Sequence, residues 1–188
     1  MRPGKPRRRG DTESPDHLNA RGASVRYSGP VLYRLYQPDD FAALYALEEL
    51  CFHPPHRFSR ATMRRLIAQP QAATWIAEDH AQIRGFAIVE WTLDTAEPSA
   101  YIQTIEVLAQ ARGQGVGEEL MRHIERSACA AGAAVIWLHV DARNDPAIRL
   151  YQRSGYQAHG RRADYYGQGT EALIFAKALQ QEPSPTSI

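Results

Sequence analysis

Residues 107 to 120 read VLAQARGQGVGEEL, and Gly113, Gly115 and Gly117 alternate directly ahead of an amphipathic run. A helix N-terminus presents unpaired N–H groups and a partial positive charge, which together attract anions. Glycine has no Cβ, so a phosphate can approach those N–H groups closely. Arg112 stands at the entrance of the stretch and can add a charge-assisted partner. The chemistry implied is a grip on a phosphate or diphosphate. Three glycines in five positions are costly at the start of a helix unless a ligand uses them.

Other glycine motifs fit less well. A phosphate-binding P-loop would end in Gly-Lys-Ser/Thr, whereas Glu118 and Glu119 stand here. A dinucleotide fingerprint would need its third glycine at Glu118, although Asp141 does supply an acid at the end of the following strand. A methyltransferase-type loop would have its acidic lead-in where Ala111 and Arg112 lie.

Ionisable groups in apolar surroundings mark further candidates. Glu106 lies between Ile105 and Val107 and needs a partner or a function, and Arg84 or Arg112 could pair with it. His139 interrupts the apolar run AVIWLHV; imidazole titrates near neutrality, but a lone histidine there can also be a satisfied core residue. Cys51, His53 and His56 in CFHPPH lack a second ligand cluster, so no metal is expected. Cys129 follows the apolar face of the helix and should simply pack.

The elements that must position these groups follow from periodicity. Segment 31–37 reads as a strand, Pro38-Asp39-Asp40 as a turn and cap, and 40–51 as a helix broken by Pro54-Pro55. Ser59 caps a second helix that ends near Gln69. ATWIAED and QIRGFAIVEW form a hairpin around Asp79-His80, and 100–108 is the next strand. Val116, Leu120, Met121, Ile124 and Ala128 trace one face of a helix that runs to about Ala131. A buried strand at 134–140 precedes a helix with Asn144 or Asp145 as cap, Pro146 in its first turn and Gly155 at its end. YQAHGRRADYY and TEALIFAKAL are the closing strands. The order β-α-α-β-β-β-α-β-α-β-β predicts an α/β fold whose mixed sheet carries helices on its faces. Its central strand–helix–strand unit should be parallel.

With 188 residues, one domain is expected, and 44% apolar with 23% charged residues is an ordinary soluble composition. A net charge of +1 offers no general attraction to nucleic acid or membrane. No apolar run nears the ~18 residues of a membrane helix, and no secretory pattern opens the chain. Two cysteines do not suggest a disulfide framework, and a cytoplasmic address is expected. Residues 1–29, including Arg7-Arg8-Arg9, form an expected disordered basic tail whose cluster could touch RNA or the ribosome; direct nucleic-acid binding elsewhere is not expected. The folded domain is expected at 30–180, with a loose tail at 181–188.

Arg112-Gly113-Gln114-Gly115-Val116-Gly117 resembles the Arg/Gln-x-x-Gly-x-Gly/Ala signature of the GCN5-related N-acetyltransferase (GNAT) superfamily. Downstream, NDPAIRLYQRSGY resembles that family's Asn-x-x-Ala-x-x-Leu-Tyr-x-x-x-Gly-Phe/Tyr segment. The continuation through Arg161-Arg162 and Tyr165-Tyr166 is similar to the RimI-like branch, which acetylates the N-terminal alanine of a ribosomal protein. The resemblance spans about residues 31 to 179. It implies a central, mostly antiparallel sheet with one parallel pair and flanking helices. It also implies acetyl-CoA as co-substrate, with its diphosphate on the loop Arg112, Gly113, Gln114, Gly115, Val116 and Gly117. Val107 and Asn144 would contact the cofactor as well.

Tyr151 matches the family tyrosine that faces the CoA sulfur and would serve as general acid, while as plain sequence it could be amphipathic core. His139 replaces the glutamate of the RimI-like pattern and can still accept a proton; Glu106 is the competing base. Tyr165 and Tyr166 would shape the acceptor groove. The acceptor implied is a protein or peptide N-terminal amine, possibly on a ribosomal protein. The alternatives are a small amine such as a polyamine or antibiotic, or a non-catalytic acyl-CoA-binding factor.

Overall fold

Alternation and capping build the elements in turn. Strand β1 (Leu32–Leu35) leads through a 3-10 turn at Pro38–Asp40 into helix α1 (Phe41–Cys51). Arg34 reaches both Asp40 and Glu78, so one guanidinium ties that turn to the next strand. Helix α2 (Arg60–Ile67) starts where Ser59 Oγ accepts the Thr62 N–H, the cap expected from its sequence. Strands β2 (Ala72–Asp79) and β3 (Gln82–Thr92) form the expected hairpin. Its turn residues, His80 and Ala81, both have positive φ (48° and 59°), the conformation that tight hairpins need and glycine usually supplies.

Strand β4 (Ser99–Val107), helix α3 (Val116–Ala131), strand β5 (Val135–Asp141) and helix α4 (Asp145–Arg153) follow. Helix α3 buries the five residues read from its periodicity: Val116, Leu120, Met121, Ile124 and Ala128. It stops at Gly132, whose φ of 101° is the left-handed C-terminal conformation. Asn144 caps α4 by accepting the Ala147 N–H. Strands β6 (Gln157–Arg162) and β7 (Ala172–Ala178) close the chain. The structure, a computed structural model, describes residues 30–52 and 57–180; both expected tails, Pro54-Pro55, His53 and His56 lie outside the described residues. Among the described residues, no helix is long and apolar enough to cross a membrane.

The seven strands run in the order β1-β2-β3-β4-β5-β7-β6, antiparallel except for β4 and β5. This is the mixed, mostly antiparallel sheet with one parallel pair that the sequence implied. Period-2 alternation sends side chains to opposite faces. Ile76, Phe86 and Ile88 pack with Leu44, Leu47, Met63 and Leu66 of α1 and α2. Ala77, Ala87 and Val89 pack on the other face with Leu120, Met121 and Ile124 of α3. Both faces are therefore covered, and what stays open lies along the strands rather than above them.

One feature of the pairing positions the site. The parallel ladder between β4 and β5 runs only from Ser99↔Val135 to Tyr101↔Trp137. Beyond it, Ile102 to Ile105 and Leu138 to Asp141 line a cavity between the two strands. The sheet is split there into a wedge, with α3 and α4 beginning at its wide end.

The expectation of a strand through YQAHGRRADYY is corrected in its second half: β6 ends at Arg162, and Tyr165 and Tyr166 sit in the β6–β7 connection. Asp164 causes the break. It takes a positive φ of 56°, and its carboxylate accepts the Gly169 N–H, a local bond that competes with the ladder.

Candidate active site

The glycine stretch forms one wall of a cleft of about 630 Å³, lined by Arg112, Gly113, Gly115, Gly117, Asn144 and Arg149 among others. Gly113 and Gly115 hold φ of 73° and 81°, and a Cβ built on either would meet nothing within 4 Å. The backbone is bent into a left-handed form in front of open space. Gly117 is constrained differently, because a Cβ there would stand 3.2 Å from Leu150 Cδ2, so it lets α3 and α4 approach. Gly115 is the N-cap of α3 and no side chain caps that end. The helix therefore offers its first N–H groups and its dipole to the cleft. A diphosphate fits this cradle.

The side chains of the loop do other work. Val116 is buried in the core. Gln114 Nε2 donates to the Gln110 carbonyl at 2.8 Å, and Arg112 Nε donates to the Val107 carbonyl at 3.0 Å. Leu108 N–H bonds the Arg84 carbonyl of β3, so by strand alternation the Val107 backbone points away from β3 and into the wedge. Val107 is thus placed to present its N–H to a ligand, while its carbonyl is braced by Arg112.

A second cavity, of about 530 Å³, adjoins the first. Phe52, Ile105, Asn144, Pro146 and Ala147 line both, so the two clefts meet across the mouth of the wedge. Tyr101, His139, Tyr151, Tyr165 and Tyr166 all face this second groove. The His139 ring stacks on Tyr165 at 4.1 Å between centroids, with 8° between planes. Its Nδ1 lies 3.2 Å from the Tyr101 hydroxyl, which in turn lies 3.3 Å from the Tyr165 hydroxyl. Burial, helped by the charge of Arg162, holds the imidazole below its ordinary range. His139 is therefore neutral at pH 7 and able to accept a proton. It is a half-buried groove residue and not part of the core.

Tyr151 is 6% exposed and packs against Tyr156 and Phe175, yet it lines the groove next to the junction of the clefts. Burial pushes its phenol above the ordinary tyrosine range. Its O–H consequently persists at every neutral pH as a hydrogen-bond donor. Full proton release is harder than for an exposed phenol, which modifies the expectation of an acid near the usual tyrosine value. Tyr166 is raised by burial too, helped by Tyr165 and Asp141.

Glu106 is the candidate base that the structure treats least kindly. It is 3% exposed, and Thr104 Oγ1 donates to its Oε1 at 3.0 Å. Burial and the adjoining Glu48 carboxyl push it up to about 10, against the milder effects of Thr104 and Cys51. A shift in that direction disfavours the anionic form that would accept a proton. Neither of the ion-pair partners suggested for it is needed to explain it, since Arg84 reaches Asp79 and Arg112 braces Val107.

Two residues of the site escaped the sequence reading. Tyr101 and Glu48 lie on elements that had been assigned, but nothing in their local pattern signals a role. Tyr101 is a lone aromatic on β4, where a half-buried strand residue is ordinary, and Glu48 is one of two adjacent glutamates on α1. Burial of Glu48 on an otherwise apolar face (Leu44, Tyr45, Leu47) was the available signal. Cys129 donates to the Gln180 carbonyl, and among the described residues no group of three His, Cys, Asp or Glu side chains could hold a metal.

Comparison with known proteins agrees with this geometry. A model of the acetyltransferase (GNAT) family matches residues 41–156, more than half of the chain. Streptothricin acetyltransferase of Streptomyces lavendulae is 39% identical over 88 residues, which is 47% of this chain and 45% of that protein. An N-alpha-acetyltransferase of Sulfurisphaera tokodaii is 28% identical over 118 residues, 58% of this chain and 71% of the relative. The fold is also that of the ribosomal-protein-S18-alanine N-acetyltransferase from Escherichia coli, with a TM-score of 0.71, 23% identity and coverage of 85% of this chain and 100% of that one. With an anion cradle at the head of α3, a split parallel pair and a matching family model, the chain belongs to the acetyltransferase (GNAT) family and is an acetyl-CoA-dependent acyltransferase acting on an amine.

Proposed function

We propose that the acceptor is the N-terminal α-amine of a protein or peptide. The observation that carries this reading is the chemistry of the groove. Among the described residues its charged lining comprises Glu48, Asp141 and Arg143, and Arg143 is paired with Asp141 at 3.0 Å. The rest is aromatic, aliphatic or neutral polar. A groove of that kind does not concentrate polycations, and it admits the neutral backbone of a chain end. An α-amine has a pKa near 8, so freeing it at pH 7 costs only about 1.4 kcal/mol, within reach of a neutral histidine. The kinship with N-terminal acetyltransferases supports the same acceptor.

Bound acetyl-CoA supplies the acetyl group already activated as a thioester. The loop at Gly113 to Gly117 would hold its diphosphate end, and the Val107 N–H would orient its acyl end in the wedge. His139 takes the ammonium proton at Nε2 when Nδ1–H donates to Tyr101 and Tyr101 passes its own hydrogen to Tyr165. The Tyr151 O–H donates toward the departing sulfur. Positioning supplies most of the rate and proton handling a smaller share.

A second reading has one observation behind it, the 39% identity to streptothricin acetyltransferase over 88 residues. The deciding experiment offers the enzyme free-N-terminus peptides, N-terminally blocked peptides, polyamines and streptothricin, with release of free CoA as the readout. Free peptides are expected to turn over and blocked ones not. A preference for streptothricin or a polyamine by about tenfold or more in kcat/KM would overturn the peptide assignment.

A further inference from the structure

Behind the junction of the two clefts lies a buried acidic pair that the proposed chemistry leaves unused. Glu48 of α1 is 0% exposed and Glu106 of β4 is 3% exposed. One oxygen of each is held by a donor: Glu48 Oε1 accepts the Phe58 N–H at 2.7 Å, and Glu106 Oε1 accepts from Thr104. The other oxygen of each, Oε2, is buried and has no hydrogen-bond partner among the described residues. The two carboxyls are nonetheless within hydrogen-bonding reach of one another. Two facing carboxylates at this depth would repel strongly, whereas a single proton placed between them satisfies both orphan oxygens. Glu48 lines the acceptor groove and Glu106 lines the cofactor cleft.

We infer that Glu48 and Glu106 share one proton across their Oε2 atoms, so that Glu106 faces the cofactor cleft as a neutral acid and Glu48 is the positioning residue that keeps it so. Glu106 then adds no anionic charge to the end of the wedge where the acyl group lies. The wall between the clefts has fixed hydrogen-bond polarity. The remaining groups around the pair fit this assignment. Cys51 of α1, whose thiol burial pushes up to about 11, keeps its hydrogen and donates to Glu106. Arg112, from the glycine loop, reaches Cys51 and Val107. Thr104 of β4 spends its hydroxyl hydrogen on Glu106 Oε1.

The test is infrared spectroscopy of the carboxyl C=O stretch in the full chain, titrated across the neutral range. The unsubstituted protein should show a protonated-carboxyl band that persists above pH 7. Glu106→Gln should abolish the band. Glu48→Gln should make it titrate at lower pH, because the like charge is gone and an amide donor replaces it. Absence of the band at pH 7 in the unsubstituted protein overturns the inference without any variant, and so does a band unchanged by Glu48→Gln. None of these measurements depends on which amine is acetylated.

Discussion

The cofactor cleft and the acceptor groove meet at a shared wall, yet they are built on different principles. The cleft takes its function from main chain: two left-handed glycines, an uncapped helix end and one inward-facing strand residue, most of it within residues 107 to 117. The groove takes its function from side chains that come from α1, β4, β5, α4 and the β6–β7 connection. A backbone site is insensitive to most side-chain changes and vulnerable at a few glycines. A side-chain site degrades gradually, residue by residue, and can change its acceptor without disturbing the cofactor.

Substitutions can break this contrast, and the cleft should show the largest effect. Gly115→Val places a β-branched residue at φ 81°, a conformation that costs an ordinary residue roughly 1–2 kcal/mol. Its side chain would also project into the cradle. Loss of acetyl-CoA binding by about a hundredfold or more is expected in calorimetry, with the fold retained by circular dichroism. Retained affinity would show that the diphosphate lies elsewhere.

The groove should respond in rate and not in cofactor affinity. Tyr151→Phe is expected to lower kcat by about a hundredfold with the acetyl-CoA dissociation constant unchanged, in the range for loss of one proton-handling group. His139→Ala should act differently again. With His139 as the proposed base, the neutral imidazole would be the active form and burial lowers its pKa, so activity should fall as pH drops through a value below 6.5. That acidic limb should disappear in His139→Ala and survive in Glu106→Gln. If it disappears in Glu106→Gln instead, the base has been misassigned.

The smallest effect concerns stability. Burial and the adjoining Glu48 carboxyl hold the folded Glu106 carboxyl well above its free value, so the folded state keeps an extra proton between the two. Stability from this group is fully present below the lower value and declines as pH rises toward the upper one. Glu106→Gln should flatten the fall of Tm as pH rises, as read by thermal unfolding across the neutral range.

The sequence pattern was most informative where the physics is local. The span of α3, the Ser59 cap and the glycine loop depend on neighbours within a turn or two, and each appears as expected. The hairpin expected around Asp79-His80 forms with its turn one residue later, at His80-Ala81, because alternation in both arms outweighs the weak turn signal. Tyr165 and Tyr166 were misplaced onto a strand because one carboxylate, Asp164, captures a backbone N–H five residues away. Tyr101 and Glu48 were not singled out, since their roles depend on partners 38 and 58 positions distant, His139 and Glu106.

By itself the sequence determined a glycine-led amphipathic helix and a central strand–helix–strand unit that should run parallel, while the family resemblance implied that only one pair would. Steric rules and periodicity are sufficient for that, as they act between near neighbours. Only the tertiary structure decided where the parallel pair parts, which tyrosines surround His139 and that Glu106 is buried beside Glu48. Those outcomes depend on burial and on charges brought together from distant segments, and neither exists until the chain has folded.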